Sequence, residues 1–547
     1  MKKIYAAALM LAGAFAASAS LPQIDFADAG IRPEKTPLKV SAKAAANASG
    51  IITTAPEGKK CLYLRNGKNY AMFGTLFPMP GIVENAISEF IYTDDGEVYI
   101  KNIVSSFPTG SYVKGKVEEG KITLELPQII AVANIDGVTT KCYVDRASKK
   151  MSTGQDSEYA AATDRTMRFD IGEDGSIAME PTNDGQTLLA VMDADGKWLG
   201  YGDWEASFTL FDEGDGPLTM PENLETTDFL FIADGLSHFV KVAFDNNDVY
   251  MQGIFATFPE GCIKGTLTED NKITFKSGQY LGYVDDGSSA PLYFVGAKIT
   301  TTSNGQRTQY DIIDEATFDY NPETKTMKSQ NALLANASLT KVKYNEYFRE
   351  PVVRINGENY DPKPMDPYYV AYSPWNEYDL WCGIQFRLPN MTPEMNYLDL
   401  NNISWRMFIN GKKMLFDPEH YEQFTEPAEW IPFNADSMEI QNAGTALHTV
   451  ILFDPEIQTI GVQSRYQEKG NDAFYSNIIQ YDINTGEITV LDPSTGVEAA
   501  TTENARVLTT DYYGIDGIKV QNPENGIYLK RSVMSDGTIR NSKVIVK

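Results

Sequence analysis

Apolar and polar residues alternate along 98–130, VYIKNIVSSFPTGSYVKGKVEEGKITLELPQII, in the manner of short strands. Ile122, Leu124 and Leu126 share one face, while Thr123 and Glu125 take the other. Pro108 and Gly110 interrupt the alternation, and Glu118-Glu119-Gly120 turns the chain. Residues 249–281, VYMQGIFATFPEGCIKGTLTEDNKITFKSGQYL, repeat the pattern, with Ile273 and Phe275 inward and Glu269-Asp270-Asn271 turning. Each stretch predicts a three-stranded antiparallel meander with one wet face.

The correspondence runs on. Tyr143-Val144 matches Phe294-Val295 at an offset of 151, and Phe169-Asp170 matches Phe318-Asp319 at 149. The chain therefore carries two copies of one module, over residues 58–216 and 217–350. A period of this size is a domain, not a solenoid repeat. Short strands in such number predict a closed antiparallel barrel or a sandwich, because an open sheet leaves its edges bare.

Pro351, Pro362, Pro364 and Pro367 mark residues 351–367 as a linker. A third β-region follows over 368–493. Asn410-Gly411 within WRMFINGKKMLF predicts a hairpin with a type I′ turn. Further strands are expected at 448–453, 459–463 and 478–481, and the region reads as an immunoglobulin-like sandwich. Residues 505–547 read as a small all-β unit cut by Gly turns. The expected fold class is all-β throughout.

The N-terminus changes the address. Lys2 and Lys3 precede an apolar, Ala-rich run over 4–17, and Ala17-Ser18-Ala19 supplies a small-residue cleavage site. This predicts a signal peptide over 1–19, ending at Ala19, and export across the inner membrane. No Cys follows to accept a lipid, and 20–57 reads as a flexible leader. No later apolar run reaches 18 residues, so a membrane-spanning chain is not expected.

Composition narrows the partners. Aromatic residues make up 11% of the 547, enough for packed cores. A net charge of −27 repels phosphate backbones, which argues against nucleic acid. Cys61, Cys142, Cys262 and Cys382 contain no CxxC spacing, and Cys61 with Cys142 is the one pair inside a module.

The last unit resembles the C-terminal sorting domain of the type IX secretion system of Bacteroidetes. The family's aromatic, Leu-x-Gly turn, Val, Gly-Ile/Val-Tyr and closing Lys-Val-Val-x-Lys fall on Tyr513, Ile515, Gly517, Val520, Gly526, Ile527, Tyr528, Lys543, Val544, Val546 and Lys547. Ile518 departs from it, where a basic residue commonly follows the Gly. The resemblance implies an exported protein, extracellular or held at the outer-membrane surface, that engages export machinery through its tail. With a non-functional tail it would be periplasmic. The body resembles uncharacterised secreted proteins of Bacteroidales in Phe258-Pro259, Lys264-Gly265, Gln279-Tyr280-Leu281-Gly282 and Ile460-Gly461-Val462-Gln463-Ser464-Arg465-Tyr466. That likeness carries no assigned chemistry.

Candidate chemistry is sparse. His238, His420 and His448 are too few and too scattered to predict a triad or a His-based metal site. Asp193-Ala-Asp-Gly196 opens like a calcium loop, but Trp198 and Trp204 stand where the loop needs Gly and Glu. Asp94-Asp95-Gly96, Asp285-Asp286-Gly287 and residues 212–216 read as hairpin turns. No cofactor or metal ligand set is expected, beyond calcium loosely held by carbonyls and carboxylates. Asp436-Ser437-Met438 resembles an O-glycosylation acceptor of Bacteroidetes. The positive lead is aromatic: Trp375, Tyr378 and Trp381 cluster in the third region, and Trp198, Tyr201 and Trp204 in the first module. Such rings suit sugar or protein ligands when exposed, and core packing when buried. The expected function is a non-enzymatic binding or structural protein for glycan or host protein. The alternative is a secreted hydrolase with β accessory modules, which needs a cleft of converging carboxylates.

Overall fold

The computed structural model describes residues 50–73, 77–135, 138–150, 159–214, 216–286, 289–301, 308–376, 380–442, 445–492, 507–513, 519–520, 523, 526–534 and 539–546. Ala19, Tyr378, Gly517 and Lys547 lie outside the described residues.

The first module consists of β1 (Lys59–Phe73), β2 (Phe77–Tyr92), β3 (Glu97–Lys101), β4 (Tyr112–Glu118), β5 (Lys121–Glu125), β6 (Gln128–Ile135), β7 (Val138–Lys149), β8 (Tyr159–Ala161), β9 (Thr166–Ile171), β10 (Ile177–Met179), β11 (Thr187–Met192) and β12 (Trp198–Phe211). The order β1-β2-β3-β4-β5-β9-β10-β12 closes into a barrel where β12 pairs back onto β1. β12 also pairs with β11, which continues through β7 to β6 as a flank sheet, with β8 on β7. Closure removes the free edges that an open sheet of this length would leave. Val98, Ile100, Ile122 and Leu124 point into the barrel, and Val144, Leu189 and Val191 of the flank pack on the same core.

The second module repeats this strand for strand: β13 (Thr227–Ala233), β14 (Leu236–Asp245), β15 (Asp248–Gln252), β16 (Cys262–Leu267), β17 (Lys272–Lys276), β18 (Gln279–Gly282), β19 (Leu292–Thr301), β20 (Thr308–Ile313), β21 (Glu315–Asn321), β22 (Thr326–Ser329), β23 (Asn331–Asn336), β24 (Tyr344–Arg349) and β25 (Val352–Arg354). Here β13-β14-β15-β16-β17-β21-β22-β25 is the closed barrel, and β18-β19-β23-β24 is the flank with β20 on β19. The one difference of plan is at the end. Glu350, at φ 44°, and Pro351 split into β24 and β25 what is a single strand in β12. The closing strand β25 therefore lies inside the stretch whose prolines suggest a linker.

Pairing registers refine the match between copies. Ile129 faces Tyr143 and Tyr280 faces Tyr293, so Tyr143 corresponds to Tyr293 and Val144 to Phe294. The offset there is 150, one less than the 151 read from the sequence, and the one-residue slip matters because it moves every side chain to the opposite face. Val144 and Phe294 both belong to their cores. The offset of 149 at Phe169 and Phe318 holds, since these pair with Ile122 and Ile273.

The third region packs two antiparallel sheets on one core around Trp405, Phe386 and Val450. Asn410 and Gly411 both take positive φ at the predicted hairpin. In the tail, strand Val507–Tyr513 lies between Lys519–Val520 and Gly526–Met534, which pairs with Ile539–Val546. The backbones of Tyr513, Val520, Gly526, Tyr528, Lys543 and Val544 thus share one sheet. Among the described residues no helix is long and apolar enough to cross a membrane. All four cysteines are free, including Cys61 and Cys142.

Contacts join the modules. Ile87 N donates to Ser289 O at 2.9 Å, and Lys101 pairs with Asp285. Between the second module and the third region, Ser237 N donates to Asn390 Oδ1 at 2.6 Å, and Leu230, Ile232 and Met391 share an apolar contact.

Candidate functional site

A cleft of about 450 Å³ opens between the first and second modules, in the size class of small-ligand sites. One lip is the β1–β2 ribbon at Asn66, Asn69 and residues 82–85; the other is the 337–343 turn between β23 and β24.

The first lip is shaped by a β-bulge between Arg65 and Gly67, which bends the ribbon and re-aims its side chains. Across the bulge Asn66 Nδ2 donates to Asn85 Oδ1 at 3.3 Å, and Asn85 N returns a bond to Asn66 Oδ1 at 3.0 Å. Ile82 stands exposed at the rim. Asn69, buried beneath, is held from below: its Nδ2 donates to Ser105 Oγ at 2.9 Å, and Ser105 N and Oγ donate to Asp203 Oδ1 at 3.1 and 3.2 Å. Asp203 is in turn ion-paired with Arg65, which donates to Ile103 O at 2.6 Å. Asn69 Oδ1 has no described partner. Gly81 lets the strands close here, because a Cβ on it would fall 2.6 Å from that oxygen.

The second lip is pinned by Asn336. Its Nδ2 donates to the carbonyls of Ser338 and Lys341, and its Oδ1 accepts from Lys343 N at 2.6 Å. Ser338 Oγ caps the turn by accepting from Thr340 N and Lys341 N. Lys343 spans to Glu84 on the opposite lip, and this hydrogen-bonded ion pair holds the Glu84 carboxyl below the usual carboxylate range. The cleft is thus lined by amides, hydroxyls, Lys341 and the Glu84–Lys343 pair, with apolar surface from Ile82, Val83, Ala290 and Ala337.

None of the described aromatic candidates lines this cleft. Trp204 and Tyr201 are buried, at 5% and 8% exposure. Trp204 packs on Tyr70 at 4.7 Å, and Tyr201 on Phe107 at 4.9 Å. Trp198 is half-buried against Tyr159 at 4.8 Å, with its Nε1 donating to Tyr201 O. Trp381 is 5% exposed, and Trp375 packs against the third core. These five residues therefore serve mainly as core, and a ring buried on both faces has none left for a ligand. The second module places Tyr310, Tyr344 and Tyr347 on the outer face of its flank sheet, where the first has Tyr159, Trp198 and Trp204.

Sequence reasoning did not find the cleft residues. Asn66, Asn69, Ser338 and Lys341 carry no motif, and two lips about 270 residues apart have no signature in sequence order. Asp193 Oδ1 is occupied by the amides of Asp195 and Lys197 at 2.9 and 2.8 Å, as a hairpin turn requires. Among the described residues no three His, Cys, Asp or Glu side chains are grouped to hold a metal. No protein-family model matches the chain, and no curated protein is similar to it in sequence.

Proposed function

We propose that this chain is an exported, non-enzymatic binding protein whose ligand is a glycan held between its two duplicated barrels. The cleft carries the reading. Each lip is hydrogen-bonded within itself, the lining is rich in amide and hydroxyl groups, and the size suits a short run of sugar units. Glu84 is the carboxylate of the lining, and Lys343 keeps it ionised. Glycoside hydrolysis by the usual route uses two carboxyl groups, one with a raised pKa, so binding fits this lining better than turnover. Export, surface display and engagement of a secretion machine rest on the signal-like N-terminus and the sorting-like tail.

A glycan array probed with the mature chain, followed by calorimetry on the hits, tests the reading. Asn66→Ala and Ser338→Ala are expected to weaken binding by about tenfold each while lowering the melting temperature by no more than about 2–4 °C. Hits that ignore both substitutions would remove the cleft from the account. Release of reducing sugar from a hit would replace binding with hydrolysis.

A further inference from the structure

The chain has six tryptophans. Trp204, Trp381 and Trp405 are buried, and Trp198 and Trp375 pack against core clusters. Trp430 does neither. It lies on the outer face of the third region, where four short stretches run side by side: Ile431–Pro432, Ile403–Ile409, Thr459–Tyr466 and Phe474–Tyr475. From the two middle strands Arg406 and Arg465 point outward, and their guanidinium carbons lie 4.5 and 4.3 Å from the Trp430 ring centre. From the far strand Tyr475 reaches back to Trp430, with ring centres 5.8 Å apart, and is itself 38% exposed. Two aromatic rings from opposite edges thus meet beside two cations.

The charges here run against the rest of the molecule. Arg406 and Lys413 share one carboxylate, Glu429, and Arg465 lies beside Arg406 over the same Trp430 ring, in a chain of net charge −27. Arg406 is ion-paired with Glu429 and donates to Gln463 Oε1 at 2.9 Å. Arg465 donates from Nε to Ser404 Oγ at 3.0 Å and has no described ion-pair partner, which leaves its terminal nitrogens as an unclaimed fork. Such a fork matches a carboxylate in two parallel hydrogen bonds, and it is pre-organised because stacking and the Ser404 bond already fix its plane. Arg465 belongs to the phrase Ile460–Tyr466, which otherwise builds core strand.

We infer a second ligand site at Trp430, Tyr475 and Arg465, for a sugar bearing a carboxylate. The acid group would take the Arg465 fork, and the apolar face of the sugar ring would lie on the aromatic pair. The site is separate from the inter-barrel cleft and does not depend on it.

Calorimetry on the full mature chain tests this with trigalacturonate and sialyllactose, each against a neutral control, maltotriose and lactose. At least one acidic sugar is expected to bind about tenfold or more tighter than its control. Arg465→Gln is expected to abolish that preference, and Trp430→Ala to abolish binding. Asn66→Ala, in the cleft, is expected to leave both unchanged, which separates this site from the other. Both site variants change part-exposed side chains, and an unchanged melting temperature confirms that they are folded. Equal binding of acidic and neutral sugars, no binding of either acid, or binding that survives both substitutions would each overturn the inference. So would capture of a poly-glutamate peptide in place of the sugars.

Discussion

Arg65 stands in the first barrel where Phe231 stands in the second. Arg65 faces Ala86 across β1–β2, and Phe231 faces His238 across β13–β14. Counting on to Phe90 against Ile100 and Val242 against Met251 brings both registers to one position of the repeated phrase. The same exercise through Leu189 and Leu333 equates Asp203 with Phe348. One copy thus fills this place with a buried ion pair, the other with two rings 5.0 Å apart.

Removing half of the ion pair leaves a buried charge without its partner. Asp203→Ala is expected to destabilise the first module by about 3–5 kcal/mol. The triple variant Arg65→Phe, Asp203→Phe, Ser105→Ala writes in the second module's Phe231, Phe348 and Ala256, and is expected to regain most of that loss. Urea unfolding of the two variants decides the matter. A triple variant no more stable than Asp203→Ala would mean that the copies do not share this packing solution.

Mild acid is expected to weaken the third region through His448. The ring is fully buried, with Nδ1 3.0 Å from Ala446 O and Nε2 2.9 Å from Phe433 O. Burial lowers its pKa from 6.5, and the two carbonyls offset this only in part. The unfolded chain therefore takes up a proton before the folded one does. Stability is full above about pH 6.5 and is lost as pH falls from there toward the folded pKa, at up to about 1.4 kcal/mol per pH unit. His238 shifts the same way, lowered by burial and only partly offset by the carbonyls of Gly253 and Ile254. Denaturant midpoints at pH 7, 6 and 5, with and without His448→Gln, measure the slope; a flat wild-type profile would contradict it.

Trp381→Ala and Trp430→Ala are expected to part company. The first empties a buried site and should cost about 3–5 kcal/mol. The second removes a ring from the surface and should cost within about 1 kcal/mol. Thermal melts of the pair are sufficient, and an equal loss in both would return Trp430 to the core.

Gln128 and Gln279 make the same clamp in the two modules. Gln128 accepts from Lys114 N at 2.9 Å and donates to Lys114 O at 2.7 Å, and Gln279 does so with Lys264 at 2.7 and 3.0 Å. Each side-chain amide stands in for a strand that is not there. Gln279→Ala, or Gln128→Ala, is expected to cost about 0.5–1.5 kcal/mol, since water takes over the exposed backbone groups. Equilibrium unfolding checks the value, and no loss in either variant would assign these amides to solvent.

The barrels were legible from the chain because their information is local. Ile122, Leu124 and Leu126 alternate with Thr123 and Glu125, and Ile273 with Thr274, so face and turn are written side by side. What escaped was set by pairing at a distance. Both copies bulge at the same place, after Ile129 and after Tyr280, but the stretch from Gly282 to its partner Leu292 is one residue shorter than that from Ala131 to Cys142, and apolar likeness alone places Val144 beside Val295. Val352 was hidden behind Pro351, since proline signals a break and not a new strand. Trp430 sits in a stretch with no period, while Trp198 and Trp204 draw the eye by clustering. Burial decides between them, and burial is a property of the packed whole.

β12 is one strand lying in two sheets at once. Its residues from Trp198 to Asp203 serve the flank while those from Gly202 to Phe211 seal the barrel. In the first copy, therefore, peeling the flank away also unzips the barrel's seam, and the two must open as one cooperative unit. Pro351 cuts that tie in the second copy, where the seam is the three residues of β25 alone. Deuterium uptake would read a single protection class along 198–211 and two along 344–354. Duplication thus leaves one half built to open as a unit and one built to open in two steps, and the turn forming a lip of the inter-barrel cleft belongs to the second.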